Sequence, residues 1–338
     1  MSKILVTGGA GFIGSHTCVE LQKNGFETYI LDDFRNSDRS VIDKIQTITG
    51  NKVTLFEADM TDSEAVSRVF AKEKFDAVIH FAGLKAVGES VIKPLEYYEN
   101  NLIGTLVILR AMKHSGVKRI VFSSSATVYG PTNSAPYKEG MPTSATNPYG
   151  WTKVMIERML IDLCAAEPSM SAVLLRYFNP IGAHESGLIG ENPSGIPNNL
   201  VPYIARVACG KLPEVSIYGD DYETIDGTGV RDYIHVVDLA KAHIAALQYS
   251  EKNTGAEEIN IGTGTGTSVL EVLHAYEAAC GRSLPYRVVG RRAGDIAECY
   301  ADTKKAEQIL GWRAEKTIEQ MCKDSWHFTE CLLQKEEG

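Results

Sequence analysis

The sequence predicts an α/β fold: a doubly wound parallel sheet followed by a smaller α/β domain. Three observations carry this expectation. Short apolar runs alternate with longer amphipathic stretches through the first half of the chain. A glycine-rich turn joins the first run to the first helical stretch. After Asn179-Pro180 the texture changes, and glycine, proline and asparagine become dense from Gly182 to Asn199, as in a long functional loop region.

Six runs read as buried strands: Ile4–Val6, Glu27–Leu31, Val53–Phe56, Ala77–His80, Ile120–Phe122 and Val173–Leu175. They are rich in β-branched or large apolar residues and mostly lack alternation, the pattern of strands covered on both faces. Helical spacing of apolar residues marks Leu102–Lys113 and Val154–Leu163. Right-handed crossovers between such strands give a doubly wound sheet. Further on, Val236–Ala246 reads as a helix with Asp238 in its first turn and Ile259–Ile261 as a strand. Ser268–Ala279 reads as a helix ended by Gly281. The domain boundary is expected near residue 180, dividing the chain into 1–180 and 181–338, with some later segments returning to the first domain. The chain shows neither an internal repeat nor a low-complexity tract.

Composition narrows the partners. Of the 338 residues 44% are hydrophobic and 23% charged, enough apolar material for a sizeable core. The formal net charge of -9 repels nucleic acid and anionic membrane, so neither is expected as a partner. An anionic substrate then requires a local cluster of positive charge. Cys18, Cys164, Cys209, Cys280, Cys299, Cys322 and Cys331 are scattered, with no Cys-x-x-Cys pair, which argues against a disulfide framework and a zinc site. The histidines also lack metal spacing, so no metal is expected. Free thiols point to a reducing compartment, and cytoplasmic location is the default reading. No apolar run is long enough to span a bilayer, and a functional loop beginning at Thr7 leaves no room for a signal peptide.

That loop is Thr7-Gly8-Gly9-Ala10-Gly11-Phe12-Ile13-Gly14, placed directly after a strand and opening a helix. Gly8 permits the tight turn, Gly11 lets the backbone approach a pyrophosphate, and Gly14 allows helix to pack closely on strand. The helix N-terminus offers free N–H groups and a positive dipole end to phosphate. This is the Rossmann dinucleotide arrangement. Asp32 stands at the end of the second strand, about 18 residues past Gly14, where a carboxylate can accept both ribose hydroxyls and repel a 2′-phosphate. NAD is therefore favoured over NADP. Arg35 nearby weighs against that preference, and Asp33 is the ribose ligand if the strand ends one residue later. Asp59, after the third strand, is placed to reach the adenine edge. The small residues of His80-Phe81-Ala82-Gly83 suit a backbone passing close to the cofactor.

Tyr149 and Lys153 are four residues apart and share one helix face, after the start signals Asn147 and Pro148. Ser123-Ser124-Ser125 ends the fifth strand, and carboxyl ends of strands face the ligand crevice in such sheets. A serine, a tyrosine–lysine pair and a dinucleotide loop together describe hydride chemistry at an alcohol. With these residues in place, the sequence resembles the extended short-chain dehydrogenase/reductase family over essentially its whole length. Within it, His80–Pro94, Ser123–Gly130, Arg176–Ala183 and Gly219–Asp238 closely resemble the bacterial UDP-galactose 4-epimerases.

The resemblance implies that Tyr149 is the catalytic base, that Lys153 binds the nicotinamide ribose and that Ser125 bonds the reacting hydroxyl. It implies cofactor contacts from Phe12, Ile13, Asn36, Met60, Asn100, Ser123, Tyr177 and Phe178 as well. A free tyrosine titrates near ~10 and a base working near ~7 needs about 4 kcal/mol of help. One positive charge at ~4 Å in an effective dielectric of ~20 gives about that amount, so Lys153 and the nicotinium ring together suffice, with desolvation acting in the opposite direction. Related dehydratases carry an acid pair where this chain has Ala126 and Thr127, and neither residue does acid–base work at neutral pH. The 4-keto sugar then has one productive fate, return of the hydride from either face, which is inversion at C4 of a UDP-sugar.

For the substrate, the resemblance assigns the diphosphate to Arg231 and Arg292 and the uridine ribose to Asp295. Asn179 and Asn199 match diphosphate-side positions, and Lys85 a nicotinamide-side or sugar-side contact. Cys299 matches the position against the sugar C2 substituent, where a small residue goes with tolerance of N-acetylated sugars. A slip of one residue would put Tyr300 there instead. A homodimer through helices near 95–114 and 148–167 is implied. Two other readings remain at this point: a net oxidoreductase or other sugar-modifying enzyme of the same family, and a non-catalytic dinucleotide sensor, which needs no Tyr–Lys pair.

Overall fold

A computed structural model describes residues 1–193, 195–292 and 294–337. The chain begins with β1 (Lys3–Thr7), α1 (Phe12–Lys23), β2 (Glu27–Asp32), α2 (Ser40–Thr49), β3 (Thr54–Glu57), α3 (Ser63–Lys72) and β4 (Ala77–His80). Two short helices, α4 (Val87–Ile92) and α5 (Pro94–Tyr98), lead through a single π turn (Glu99–Ile103) into α6 (Gly104–Ser115). Then come β5 (Arg119–Ser123), the long α7 (Pro148–Ala166) and β6 (Ser171–Tyr177). The remainder contains β7 (Asn179–Ile181), α8 (Leu200–Ala208), β8 (Val215–Tyr218), β9 (Val230–Arg231), β10 (Tyr233–His235) and α9 (Val236–Ser250). It closes with β11 (Gly255–Ile261), β12 (Thr267–Ser268), α10 (Val269–Cys280), β13 (Tyr286–Val289), β14 (Glu298–Cys299) and α11 (Ile318–Glu337).

Seven strands form one parallel sheet in the order β11-β6-β5-β4-β1-β2-β3. The order reverses between β1 and β4, so the ligand crevice opens at the carboxyl ends of those two strands. Helices cover both faces. On one, Cys18, Val19 and Leu21 of α1, Ile42 and Ile45 of α2, and Leu239, Ala242 and Leu247 of α9 pack over Ile4, Val6, Ile30 and Ile79. On the other, Val66 and Phe70 of α3, Ile108 and Met112 of α6, and Ile156 and Leu160 of α7 pack over Leu5, Val78, Ile120 and Phe122. Burial on both sides is why these strands read as unbroken apolar runs.

The expected helix starts are present. Asn147 caps α7 by accepting from the Gly150 N–H at 2.9 Å, with Pro148 in the first turn. Ser268 and Glu271 form a reciprocal cap on α10, and Gly281 ends that helix at φ 69°. The helix expected over Leu102–Lys113 needs correction: a π turn at Glu99–Ile103 precedes α6, which runs on to Ser115. Segments after residue 180 return to the main sheet: β11 pairs with β6 over seven residues and α9 packs against α1. The chain leaves the sheet after β6 and returns to complete it. The smaller lobe, built on α8, α10 and α11, has its own core of Ile204, Ile217, Tyr233, Leu273, Tyr276 and Trp326.

Candidate active site

The glycine loop is shaped by close contacts rather than by looseness. Gly8 has φ 71°, and a Cβ there would lie 2.8 Å from the Ala82 nitrogen; a Cβ on Gly14 would lie 2.2 Å from the Gly8 carbonyl oxygen. Any side chain at either position closes the turn, so the residues fit a group that lies against bare backbone. Gly11 caps α1 without a side-chain bond, and the first turn contains no acidic residue. Its leading N–H groups, those of Phe12 and Ile13 included, point out of the helix end as an anion site.

Asp32 closes β2 beside this loop. Its Oδ2 accepts from the Ala10 N–H at 2.9 Å, and its Oδ1 accepts from the Phe34 N–H at 3.0 Å and the Ser37 hydroxyl at 2.8 Å. Asp33 instead is exposed and paired with Arg35. The Arg35 guanidinium also donates to Asp59 at 2.9 Å and to Asn100 at 3.2 Å. A cation shared among Asp33, Asp59 and Asn100 is poorly placed to select a 2′-phosphate, which answers the doubt that Arg35 raised. Asn36 lies exposed in the same loop. Met60 is buried against Gly104, the Phe81 ring packs tilted against His243, and Gly83 faces the Asn101 side chain.

The reacting constellation lies on three elements. Ser123 ends β5, and its carbonyl accepts from Lys153 Nζ at 2.8 Å. Ser125 opens a short 3₁₀ turn and lies close enough to the Tyr149 phenol to favour its ionised form. Tyr149 and Lys153 are both buried on the inner face of α7. Tyr177 ends β6 close to Tyr149, and Phe178 follows it. Burial pushes the Tyr149 phenol up from the ordinary tyrosine value; Tyr177 adds to this, Ser125 opposes it, and Tyr97 adds again. Burial also lowers Lys153 to about 8, against the raising effect of Glu157. Lys153 Nζ lies 5.8 Å from the Tyr149 ring centre and spends its bond on Ser123. The expected lowering of the phenol rests on Lys153 and the nicotinium ring acting together, and the lysine alone does not outweigh burial. In the chain alone desolvation wins, and the tyrosine is neutral until a further positive charge arrives.

The substrate-side residues converge from the smaller lobe. Arg231 donates to the Val230 and Ile296 carbonyls at 2.8 and 3.0 Å and lies 3.8 Å from Asp295. Arg292 bonds the same Asp295 carboxylate at 3.0 Å and lies over the Tyr218 ring at 4.4 Å. Cys299 pairs in register with Arg231 and packs among Ala126, Val154, Tyr137 and Phe178. Tyr300 turns the other way, its ring against Gly266, so the thiol and the phenol lie on opposite sides of the strand. Asn179 is exposed at the start of β7. Asn199 precedes α8 and donates to Glu191 at 3.0 Å, and the same carboxylate oxygen takes Lys85 Nζ at 3.4 Å. Lys85 and Asn199 are therefore joined through Glu191.

Sequence reading missed four contributors: Tyr218, Glu191, the buried pair Glu157–Arg176, and Asp232. Glu157 and Arg176 carried a signal only in hindsight, since Glu157 continues the Tyr149–Lys153 face of α7 by one further turn.

Comparison with known proteins agrees with this geometry. The family described as "NAD dependent epimerase/dehydratase family" matches residues 4–262. The UDP-glucose 4-epimerase of Bacillus subtilis is 58% identical over 325 residues, 96% of each chain. The crystal structure of a UDP-glucose 4-epimerase from Stenotrophomonas maltophila, with bound NAD and formylated UDP-arabinopyranose, superposes with TM-score 0.97 at 48% identity, covering 99% of this chain and all of that one. A second, from Bifidobacterium longum in complex with NAD+ and UDP, gives TM-score 0.94 at 54% identity, covering 98% of both chains. A glycine cradle, a Ser–Tyr–Lys constellation and near-full-length similarity lead to one conclusion: the chain belongs to the NAD-dependent epimerase/dehydratase family.

Proposed function

We propose that the chain inverts C4 of UDP-hexoses, interconverting UDP-glucose and UDP-galactose with NAD as a resident cofactor. The observation that carries this is the buried Tyr149 phenol close to Ser125, beside Ala126 and Thr127. The constellation handles one alcohol proton and has no acid pair to expel water. Gly8, Gly11, Gly14, Asp32, Asp59 and Lys153 would hold the dinucleotide, with Phe12, Ile13, Asn36, Met60, Phe81, Ala82, Gly83, Lys85, Asn100, Ser123, Tyr177 and Phe178 around it. When bound, NAD supplies a two-electron acceptor that is reduced and reoxidised within one turnover.

The chain's own residues do the rest. Ser125 holds the C4 hydroxyl, and Tyr149 takes its proton and later returns it. Lys153, kept cationic, orients the cofactor's ribose and favours the tyrosinate. Arg231 and Arg292 neutralise the diphosphate while Asp295, already between them, holds the uridine ribose. The Tyr218 face beside Arg292 offers a platform to a flat base. Held by its nucleotide end, the sugar is free to present either face of C4, which inversion requires. Net oxidation is not favoured, because the ketone has no other partner in the site.

Cys299, a small side chain against the same apolar cluster as Ala126, supports acceptance of UDP-N-acetylglucosamine and UDP-N-acetylgalactosamine as well. A homodimer is supported by exposed apolar side chains on α4, α5, α6 and α7: Val91, Ile92, Leu95, Leu106, Trp151 and Met155. Among the described residues no helix is long and apolar enough to cross a membrane, and all seven cysteines are free thiols. The free thiols support a reducing, cytoplasmic setting. Incubation with UDP-galactose and no added electron acceptor tests the proposal: UDP-glucose should form without net change in NADH absorbance. Stoichiometric NADH accumulation would place the chain among net oxidoreductases.

A further inference from the structure

We propose that Asp232 is the positioning residue of the sugar-nucleotide site, fixing Arg231, Asn179 and Cys299 relative to one another and to the end of the parallel sheet. The inference rests on the reading of the chain as a UDP-sugar epimerase and goes one layer behind it.

Asp232 is fully buried between β9 and β10. Its Oδ1 accepts from the Thr263 N–H and hydroxyl, both at 2.7 Å; its Oδ2 accepts from the Gly264 N–H at 3.0 Å and the Ala301 N–H at 3.2 Å. Its own N–H donates to the Cys299 carbonyl at 2.9 Å, and its carbonyl accepts from the Asn179 N–H at 3.0 Å. One residue thus ties together the three segments that carry Asn179, Arg231 and Cys299. Through Thr263 and Gly264 it ties them to the turn that leaves β11, the last strand of the main sheet. The packing is close: a Cβ on Gly262 would lie 2.4 Å from Asp232 Oδ2.

Burial raises the Asp232 carboxyl above the usual range, while the bonds from Thr263, Ala301 and Gly264 pull it down. A carboxylate is the only side-chain group of this size that accepts on both of its terminal atoms. In Asp232→Asn the shape is kept, but one –NH₂ must face either the Thr263 donors or the Gly264 and Ala301 donors. A buried donor set left unpaired costs enough to shift the loops that make it, and the substrate residues move with them. Asp232 touches neither the reacting atoms nor the glycine loop, so the damage should fall on nucleotide-sugar binding and spare the cofactor.

The test compares Asp232→Asn with the wild-type holoprotein by KM and kcat for UDP-galactose, by calorimetric Kd for UDP, and by cofactor content after denaturation. KM and the UDP Kd should each rise about tenfold, from a loss on the scale of one buried donor. The kcat should fall less than about threefold and cofactor content should stay at the wild-type value. Thr263→Val, which removes one of the four donors, should move KM and Kd in the same direction by about two- to threefold. An Asp232→Asn protein with unchanged KM and Kd overturns the inference. So does a variant whose kcat and cofactor content fall as far as its affinity, since that marks a general structural role. Should Asp232→Asn not fold, Thr263→Val decides, and an unchanged UDP Kd there overturns it. Wild-type protein that binds UDP but does not invert UDP-galactose would sink the functional reading and leave the Asp232 inference to the UDP measurements.

Discussion

Replacing Glu157 with glutamine strands a buried guanidinium beneath the catalytic helix. Arg176 is 2% exposed and Glu157 3%. Arg176 Nε donates to both carboxylate oxygens at 3.0 and 3.2 Å, Nη2 donates at 2.7 Å, and the Ser124 hydroxyl donates to the same group at 2.5 Å. The other Arg176 contacts are the neutral Glu139 carbonyl at 3.0 Å and Tyr129 phenol at 3.4 Å, with the Glu258 carboxylate more distant at 3.8 Å, so most of its charge is left uncompensated. Removing one member of such a pair costs about 3–5 kcal/mol. Unfolding entropy near ~2.1 cal/mol/K per residue gives the chain about 0.7 kcal/mol per kelvin, so the melting temperature should fall by about 4–7 °C. Calorimetry and urea titration of the holoprotein read this directly. The double variant Glu157→Met, Arg176→Met should recover most of the loss, because an apolar pair of similar volume removes the stranded charge. A single variant costing under about 1 kcal/mol, or a double variant no more stable than the single, would refute the idea that this pair anchors α7.

Other consequences follow from the same site. Tyr149→Phe should reduce turnover by at least about three decades while the protein folds and retains its dinucleotide, since it deletes the one hydroxyl placed to move the proton; activity within tenfold of wild type would displace Tyr149 from that role. Cys299→Tyr should suppress turnover of UDP-N-acetylglucosamine selectively, by at least the ~1–3 kcal/mol that one methylene of misfit is worth, and equal loss on both substrate types would show that Cys299 does not face the C2 substituent. Lys153 has a folded-state pKa lowered to about 8 from 10.5, so burial penalises its charged form. The unfolded chain binds the extra proton between those values, and stability of nucleotide-free protein should rise with pH across that window. Lys153→Met should accordingly stabilise nucleotide-free protein at pH 7 by about 3 kcal/mol, a gain that vanishes above about pH 10.5. A gain independent of pH would point to packing instead.

What the sequence revealed and what it concealed divide along the range of the interactions. The glycine loop, Asp32, the Tyr–Lys spacing and the caps at Asn147 and Ser268 are local devices, readable because each works within one turn or one strand–helix joint. The return of α9 and β11 to the sheet is a pairing of Gly255–Ile261 with Ser171–Tyr177, and nothing in either run names its partner. Glu157 and Arg176 look like any charges on a helix and a strand until their burial is known. Asp232 is hidden for the same reason, since its donors come from residues 263, 264 and 301. Asp295, expected to hold the uridine ribose, is seen to bridge both arginines, which a one-dimensional reading treats as separate cations.

The central claim is that Ser125, Tyr149 and Lys153 serve an inversion in which the hydrogen on C4 never reaches solvent. UDP-galactose carrying deuterium at C4, incubated with the protein in ordinary water, tests this most directly. Inversion through a ketone held in the site predicts UDP-glucose that keeps its deuterium at C4, with the same retention in substrate recovered at equilibrium. Loss of deuterium to water in step with product formation would mean that the site abstracts a proton from carbon, and the roles given to all three residues would fall together.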